Sequence, residues 1–174
     1  MKKFIRVLSM VFAGFAFTVS SFAADVTMRI SIQLPMKSHL GQNLLLFKKD
    51  VEKKSNGEIE VQIYDSAQLY KDKEVPAAVG SGSIESGVAS LTRYVGDIPA
   101  VDLFYQPFLL NSEEKVRKAV AKGSAIRGPI DKAIEGTGST VLWWQAYGSA
   151  VMLSKGGAIK NPSDMKGKKV RVFG

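Results

Sequence analysis

The sequence predicts an α/β fold in which a sheet of parallel strands carries helices on both faces, and three observations predict it. Apolar and polar residues alternate over residues 26–34 and again over 58–64, the two-residue period of a half-buried strand. Between these stretches Leu40, Leu44, Leu45, Phe47 and Val51 recur near helical spacing, so a helix joins the two strands. A helical stretch at 71–80 then leads to a strand-like one at 84–91, and the alternation starts over. A strand reaching the next through a helix pairs parallel to it, and a run of such units covers both faces of its sheet.

The N-terminus precedes this pattern. Lys2, Lys3 and Arg6 stand before an apolar run over residues 7–22 that closes on Ser21-Phe22-Ala23, the layout of a secretory signal peptide cleaved after Ala23. A spanning helix needs about 20 apolar residues, and this run is interrupted by Ser9, Gly14, Thr18 and Ser20. Residues 1–23 are therefore expected to be a leader, and the chain to be exported.

In the first strand Val26, Met28, Ile30 and Ile32 face one way and Thr27, Arg29, Ser31 and Gln33 the other, until Pro35 ends it. Ser38 can cap the following helix, which runs to about Ser55 and is closed by Asn56-Gly57. Ile59, Val61 and Ile63 then alternate with Glu58, Glu60 and Gln62. Residues 71–80 read as a helix with Pro76 in its first turns, and Gly80-Ser81-Gly82 interrupts the chain before the third strand, 84–91. Residues 101–110, aromatic and apolar with Pro107 inside, read as a packed connection. Two helices follow at 113–122 and 126–135, a glycine-rich stop at 136–138, a strand at 139–146 built on Val141, Leu142, Trp143 and Trp144, and a final strand at 168–173. The sequence stops at Gly174, directly after that strand, which reads as a truncated chain.

Composition removes several kinds of chemistry. There is no cysteine, so disulfides, thiol nucleophiles and thiolate metal sites are excluded. His39 is the single histidine and opens a predicted helix, where a capping or packing role explains it; no nucleophile has a base at hand. The carboxylates are dispersed, so neither a metal site nor a cofactor is expected. Gly80-Ser81-Gly82-Ser83 lacks the Lys-Ser/Thr of a phosphate loop and reads as a turn, and Glu113-Glu114 suits a helix N-terminus. The formal net charge is +8, but Lys2, Lys3 and Arg6 belong to the leader and the other basic groups are interspersed with acids. That pattern reads as a solvated surface, or as a field that attracts anionic solutes; nucleic acid is not an expected partner. No enzyme is predicted.

Several motifs resemble one family. Ser38-His39 opening a helix, Ser55-Asn56-Gly57-Glu58-Ile59-Glu60-Val61, Ala67-Gln68-Leu69, Gly82-Ser83-Ile84-Glu85-Ser86-Gly87, and above all Pro162-Ser163-Asp164-Met165-Lys166-Gly167-Lys168-Lys169-Val170-Arg171-Val172 are similar to the substrate-binding subunit of tripartite ATP-independent periplasmic (TRAP) transporters. Members are roughly twice as long, so the resemblance covers their N-terminal half. It implies a periplasmic binding protein-like fold of two hinged α/β domains that close over an anionic ligand. Residues 24–138 would form most of the first domain, and 139–174 the crossover and the start of a truncated second one. The implied function is periplasmic capture of a small organic acid for the membrane subunits of a TRAP transporter. A ligand-sensing subunit that presents its solute to a membrane receptor, a secreted hydrolase completed by residues beyond Gly174, and a non-functional fragment are the alternatives.

The resemblance also implies site residues. Arg171 matches the family arginine that pairs with the ligand carboxylate, a role suited to the planar donor fork of a guanidinium. On the residues alone, an outward-facing arginine on an edge strand explains it equally. Arg93 and Gln33 fall where members place further contacts, both at C-terminal strand ends, where open α/β sheets bind ligands. A surface arginine and a capping glutamine are the plain alternatives. Trp144, Tyr147 and Phe173 are candidate apolar walls, with core packing as the alternative. Sialic acid-binding members carry a second arginine where this chain has Ser149-Ala150-Val151, which disfavours that ligand and leaves dicarboxylates, keto acids, sugar acids and related monocarboxylates.

Overall fold

The computed structural model describes residues 24–148 and 151–171. The expected leader, Ser149, Ala150 and the end of the expected last strand with Phe173 lie outside the described residues.

Three strands and two helices form the first unit: β1 (Val26–Ile32), α1 (His39–Lys54), β2 (Ile59–Tyr64), α2 (Val75–Gly80) and β3 (Ser86–Val88). The sheet order is β2-β1-β3, and both pairings are parallel, Val26 opposite Ile59 and Ile32 opposite Val88. The chain steps from β1 to β2 on one side and returns past β1 to β3 on the other. Right-handed crossovers in opposite directions put α1 and α2 on opposite faces.

Side chains bear this out. Ile30, Ile32 and Val61 are fully buried with Leu40 and Leu44 of α1, and Met28, Ile63, Val88, Phe47 and Val51 close around them. On the reverse face, the absent side chain of Gly87 leaves room for Val75 and Val79 of α2; a Cβ there would collide with Val75. Ser31, also on this face, is buried and satisfied, since its hydroxyl donates to the Tyr70 carbonyl and accepts from the Tyr70 N–H, both at 3.2 Å.

Helix α1 has the ends its sequence foretells. The Ser38 hydroxyl accepts from the Gly41 N–H at 3.1 Å, and Ser55, Asn56 and Gly57 donate back to the last turn. Gly41 itself is required by close approach, because a Cβ would lie 2.6 Å from the Met36 backbone. The helix also finishes the edge of the sheet. Glu52 accepts from the Val61 N–H at 3.0 Å, Lys48 donates to the Val61 carbonyl, and Ser55 accepts from the Ile59 N–H at 3.1 Å. The outward backbone groups of Ile59 and Val61 on edge strand β2 are thus met by side chains of the chain itself.

A second apolar cluster lies after the sheet. Two 3-10 helices, Leu91–Tyr94 and Pro99–Tyr105, precede α3 (Glu113–Val120) and α4 (Arg127–Glu135). Ile98, Val101, Ile130 and Ile134 are buried together, with Phe104, Val141 and Trp144 against them.

Four expectations are corrected. The third strand is short because Val88 meets Ile32, the last residue of β1, and the Ser90 N–H then turns to Asp72. The helix expected at 71–80 starts only at Val75, since the Lys71 N–H is taken by the Glu74 carboxylate and Pro76 stands in the first turn. Residues 139–146 have strand composition but enter no ladder; Val141 packs in the second cluster, and from Trp143 on the chain runs beside α1, where no strand edge is offered. Residues 168–171 likewise carry no regular structure, and before them a 3-10 helix, Pro162–Met165, is capped by Asn161 and Asp164.

Candidate functional site

The carboxyl ends of three parallel strands meet at one edge of the sheet. The loops that leave β1 and β2 are tied together there: the Ser66 N–H donates to Leu34 O at 3.2 Å, Ala67 N–H to Ile32 O at 3.1 Å, and Met36 N–H to the Asp65 carboxylate at 2.9 Å. Ser66 and Ala67 hold positive φ angles of 52° and 58°, an unusual conformation for residues with a side chain and one that these bonds sustain. Gln33 leaves β1 at this edge, half-buried, its amide without a hydrogen-bond partner among the described residues.

Arg93 stands on the same edge, in the first 3-10 helix after β3. Its Nε donates to Asp72 at 2.6 Å, and the other carboxylate oxygen of Asp72 accepts from the Ser90 N–H at 2.8 Å. Asp72 is buried, with its side chain 6% exposed, while Arg93 keeps 24% of its own exposed. The pair pins the segment after β3 to the loop before α2, and the Nη donors of Arg93 have no hydrogen-bond partner among the described residues. Sequence reasoning missed Asp72, whose neighbours Lys71 and Lys73 give it the look of a surface charge.

Residues 143–147 run antiparallel along α1. Trp143 packs on Phe47 with ring centroids 5.0 Å apart, Gln145 accepts from the Asn43 amide at 2.8 Å, and Ala146 O lies 3.3 Å from His39 Nε2. The Tyr147 ring meets His39 edge-on at 6.3 Å. The match is geometric: two residues of extended chain advance about 6.6 Å and four residues of helix about 6 Å, so alternate ribbon residues meet positions 39, 43 and 47. Tyr147 thereby stands at the first turn of α1, beside the loop that carries Gln33. Trp144 points the other way, into the second cluster, where its Nε1 donates to Asp131 at 2.7 Å.

The six expected site residues are therefore distributed. Gln33, Arg93 and Tyr147 lie at or beside the carboxyl edge, Trp144 sits in the second cluster, and Arg171 is exposed with no hydrogen bond or ion pair among the described residues. Phe173 lies outside them. A separate groove of about 480 Å³ is lined by Pro99, Ala100, Leu103, Gln106, Ala125, Ile126 and Pro129. No lysine or arginine lines it, and its one long polar side chain, Gln106, donates to the Asp102 carbonyl at 3.4 Å.

The shifted charges belong to the scaffold. On the sheet face opposite α1, Arg29 donates from Nε and Nη2 to Glu85 at 2.9 and 2.7 Å, and Nη2 also reaches Ser83 O at 3.1 Å. These hydrogen bonds hold the Glu85 carboxyl down to about 2 and raise Arg29 further. Glu52 is lowered by its hydrogen bonds from Lys48 and the Val61 N–H, and burial raises Tyr94. Among the described residues no cluster of three or more His, Asp or Glu side chains could hold a metal ion, and no helix is long and apolar enough to cross a membrane.

A three-stranded parallel sheet with helices on both faces and a polar carboxyl edge defines an open α/β fold. Solved structures agree. An extracytoplasmic solute receptor of Bordetella pertussis binding pyroglutamic acid is 25% identical and superposes with a TM-score of 0.60 over 64% of this chain and 36% of its own. A TRAP periplasmic solute-binding protein of Pseudomonas aeruginosa with bound L-malate, 20% identical, gives 0.61 over 68% and 40%. The model of the bacterial extracellular solute-binding proteins, family 7, matches residues 30–174, and the chain belongs to that family. A solute-binding protein of Verminephrobacter eiseniae is 31% identical over 87% of this chain and 44% of its own length; the C4-dicarboxylate-binding periplasmic protein of Rhodobacter capsulatus is 29% identical over 90% and 46%. The chain thus spans less than half the length of these relatives. The TRAP resemblance drawn from the motifs stands, and the family is one of binding proteins rather than enzymes.

Proposed function

We propose that this protein captures a small organic anion in the periplasm and delivers it to the membrane subunits of a TRAP transporter, by reversible binding and hinge closure and with no chemical step. The observation that carries this reading is the carboxyl edge of the sheet, where Gln33 and Arg93 offer amide and guanidinium donors beside Tyr147. Donors of this kind recognise carboxylates, and the C-terminal edge of a parallel sheet is where open α/β folds take their ligands. Relatives and fold neighbours named for C4-dicarboxylates, pyroglutamic acid and L-malate point to the same class of solute.

In this reading residues 1–23 are a cleaved leader, 24–138 form most of the first domain, and 139–174 cross into a second. Arg171 belongs to the crossover and supplies the principal carboxylate contact once the domains close, with Phe173 beside it, while Tyr147 forms an apolar boundary; Trp144, held in the second cluster, takes the packing role instead. The test is calorimetric titration of the protein, expressed from its whole reading frame, with succinate, L-malate and pyroglutamate. Binding of at least one is expected, and Arg171→Ala should weaken it by about 2–5 kcal/mol, the scale for truncating one partner of a desolvated charge pair. Unchanged affinity would remove Arg171 from the site, and no heat with any small carboxylate would overturn the carrier reading.

A further inference from the structure

The Trp143-Trp144 dipeptide joins two apolar clusters that have no other aromatic link among the described residues. Trp143 lies on Phe47 of α1, which belongs to the cluster around the sheet. Trp144 belongs to the cluster built from α4 and the 3-10 helix Pro99–Tyr105; its ring meets Phe104 at 5.1 Å. Consecutive residues of an extended chain point to opposite sides, so one dipeptide grips both clusters.

The two grips differ in kind. Trp143 rests on ring contact alone and is 37% exposed. Trp144 is fixed by direction as well. Its indole N–H donates to Asp131 Oδ1 at 2.7 Å, and Arg127 donates to Asp131 Oδ2 at 2.8 Å. Arg127 is buried, donates also to Val120 O at 3.0 Å, and holds its guanidinium carbon 5.5 Å above the Trp144 ring. A buried arginine, both oxygens of one carboxylate and one indole N–H therefore satisfy one another, and each partner's position determines the next.

We infer that Arg127, Asp131 and Trp144 form a latch that sets the register of residues 143–147 along α1, and through it the place of Tyr147 against His39 at the carboxyl edge. Asp131 is then a positioning residue: it touches neither α1 nor the edge, yet it determines what stands there. The inference goes beyond the carrier reading, because nothing in it requires a ligand.

His39 supplies the test, since it is the single histidine of the chain and sits at the far end of the ribbon from the latch. Its ring signals in a proton–carbon NMR spectrum, recorded at one fixed pH, report on the Ala146 and Tyr147 contacts. Asp131→Ala removes both bonds, and the His39 signals should move toward those of an unstructured histidine while the amide signals of β1 and β2 stay in place. Trp144→Phe keeps an aromatic ring but loses the N–H donor; it should shift His39 in the same direction by a smaller amount. Asp131→Asn retains an oxygen for the indole and should fall nearest the parent. If His39 is unmoved in Trp144→Phe and in a folded Asp131→Ala, the latch does not set the ribbon. If Asp131→Ala shifts sheet and His39 signals alike, and Trp144→Phe leaves His39 unmoved, the trio is ordinary core and the inference falls.

Discussion

Residues 26–88 and residues 139–147 are both rich in strand-forming side chains, yet one region holds a regular sheet and the other an extended ribbon that enters no ladder. In the first, β1 finds β2 33 residues on and β3 56 residues on, and the edge left over on β2 is met by Lys48, Glu52 and Ser55. In the second, Val141, Leu142, Trp143 and Trp144 have the right propensity, but Trp143 lies on α1 and Val141 and Trp144 on the cluster around α4, which offer side chains and no ladder. Strand propensity expresses a fit to a half-buried pleated surface, and the surface must be there. The ribbon keeps the alternation of a strand and spends it on two different partners.

The comparison is broken most directly in the core. Ile32→Ala removes a side chain with no exposure from the sheet cluster and should cost about 2–5 kcal/mol in urea denaturation. Leu153→Ala, past the ribbon at a side chain 90% exposed, should fall within about 0.5 kcal/mol of the parent. Equal losses at the two positions would mean that the chain following the ribbon is packed as the sheet is. Next in size is Gly41→Ala. The new methyl group meets Met36 backbone, which cannot rotate away, so a loss of about 1–3 kcal/mol is expected. A neutral Gly41→Ala would show that the loop leading from Gln33 into α1 has freedom to move. Ser38→Ala removes the N-cap of α1 and should cost about 1 kcal/mol, read from the same denaturation midpoints.

How legible each region was follows from the same contrast. Helix α1 was readable to within a residue because its signals are local: Ser38 at one end, Ser55-Asn56-Gly57 at the other, apolar spacing between. The parallel pairing of β1 and β2 followed from the short crossover. The length of β3 did not, because it is set by where β1 ends and by Asp72 claiming the Ser90 N–H, contacts 18 or more residues away in sequence. At the candidate edge, Gln33 and Arg93 were legible as residues at strand ends, whereas the Asp72 partner of Arg93 and the meeting of His39 with Tyr147 were not. Those two contacts span 21 and 108 positions, and no periodicity encodes them.

The smallest expected effect separates the sheet region from the chain following the ribbon by pH. Glu85 in the first and Asp164 in the second are both held below their ordinary carboxyl values, but by different partners. Glu85 owes its shift first to Arg29, 56 residues away, so the shift vanishes on unfolding. Asp164 owes its shift to the N–H groups of Lys160 and Asn161, a local motif that an unfolded chain can still visit. A carboxyl lowered only in the folded state contributes stability in full above its ordinary value of 4.5, and the contribution is lost as pH falls toward the folded value of about 2. The denaturation midpoints of the parent and Glu85→Gln should therefore differ above that range and converge through it. Asp164→Asn should run parallel to the parent throughout. A constant gap for Glu85→Gln would place its worth in packing rather than charge, and a converging Asp164→Asn would show that the 160–164 turn depends on the folded chain as much as the sheet does.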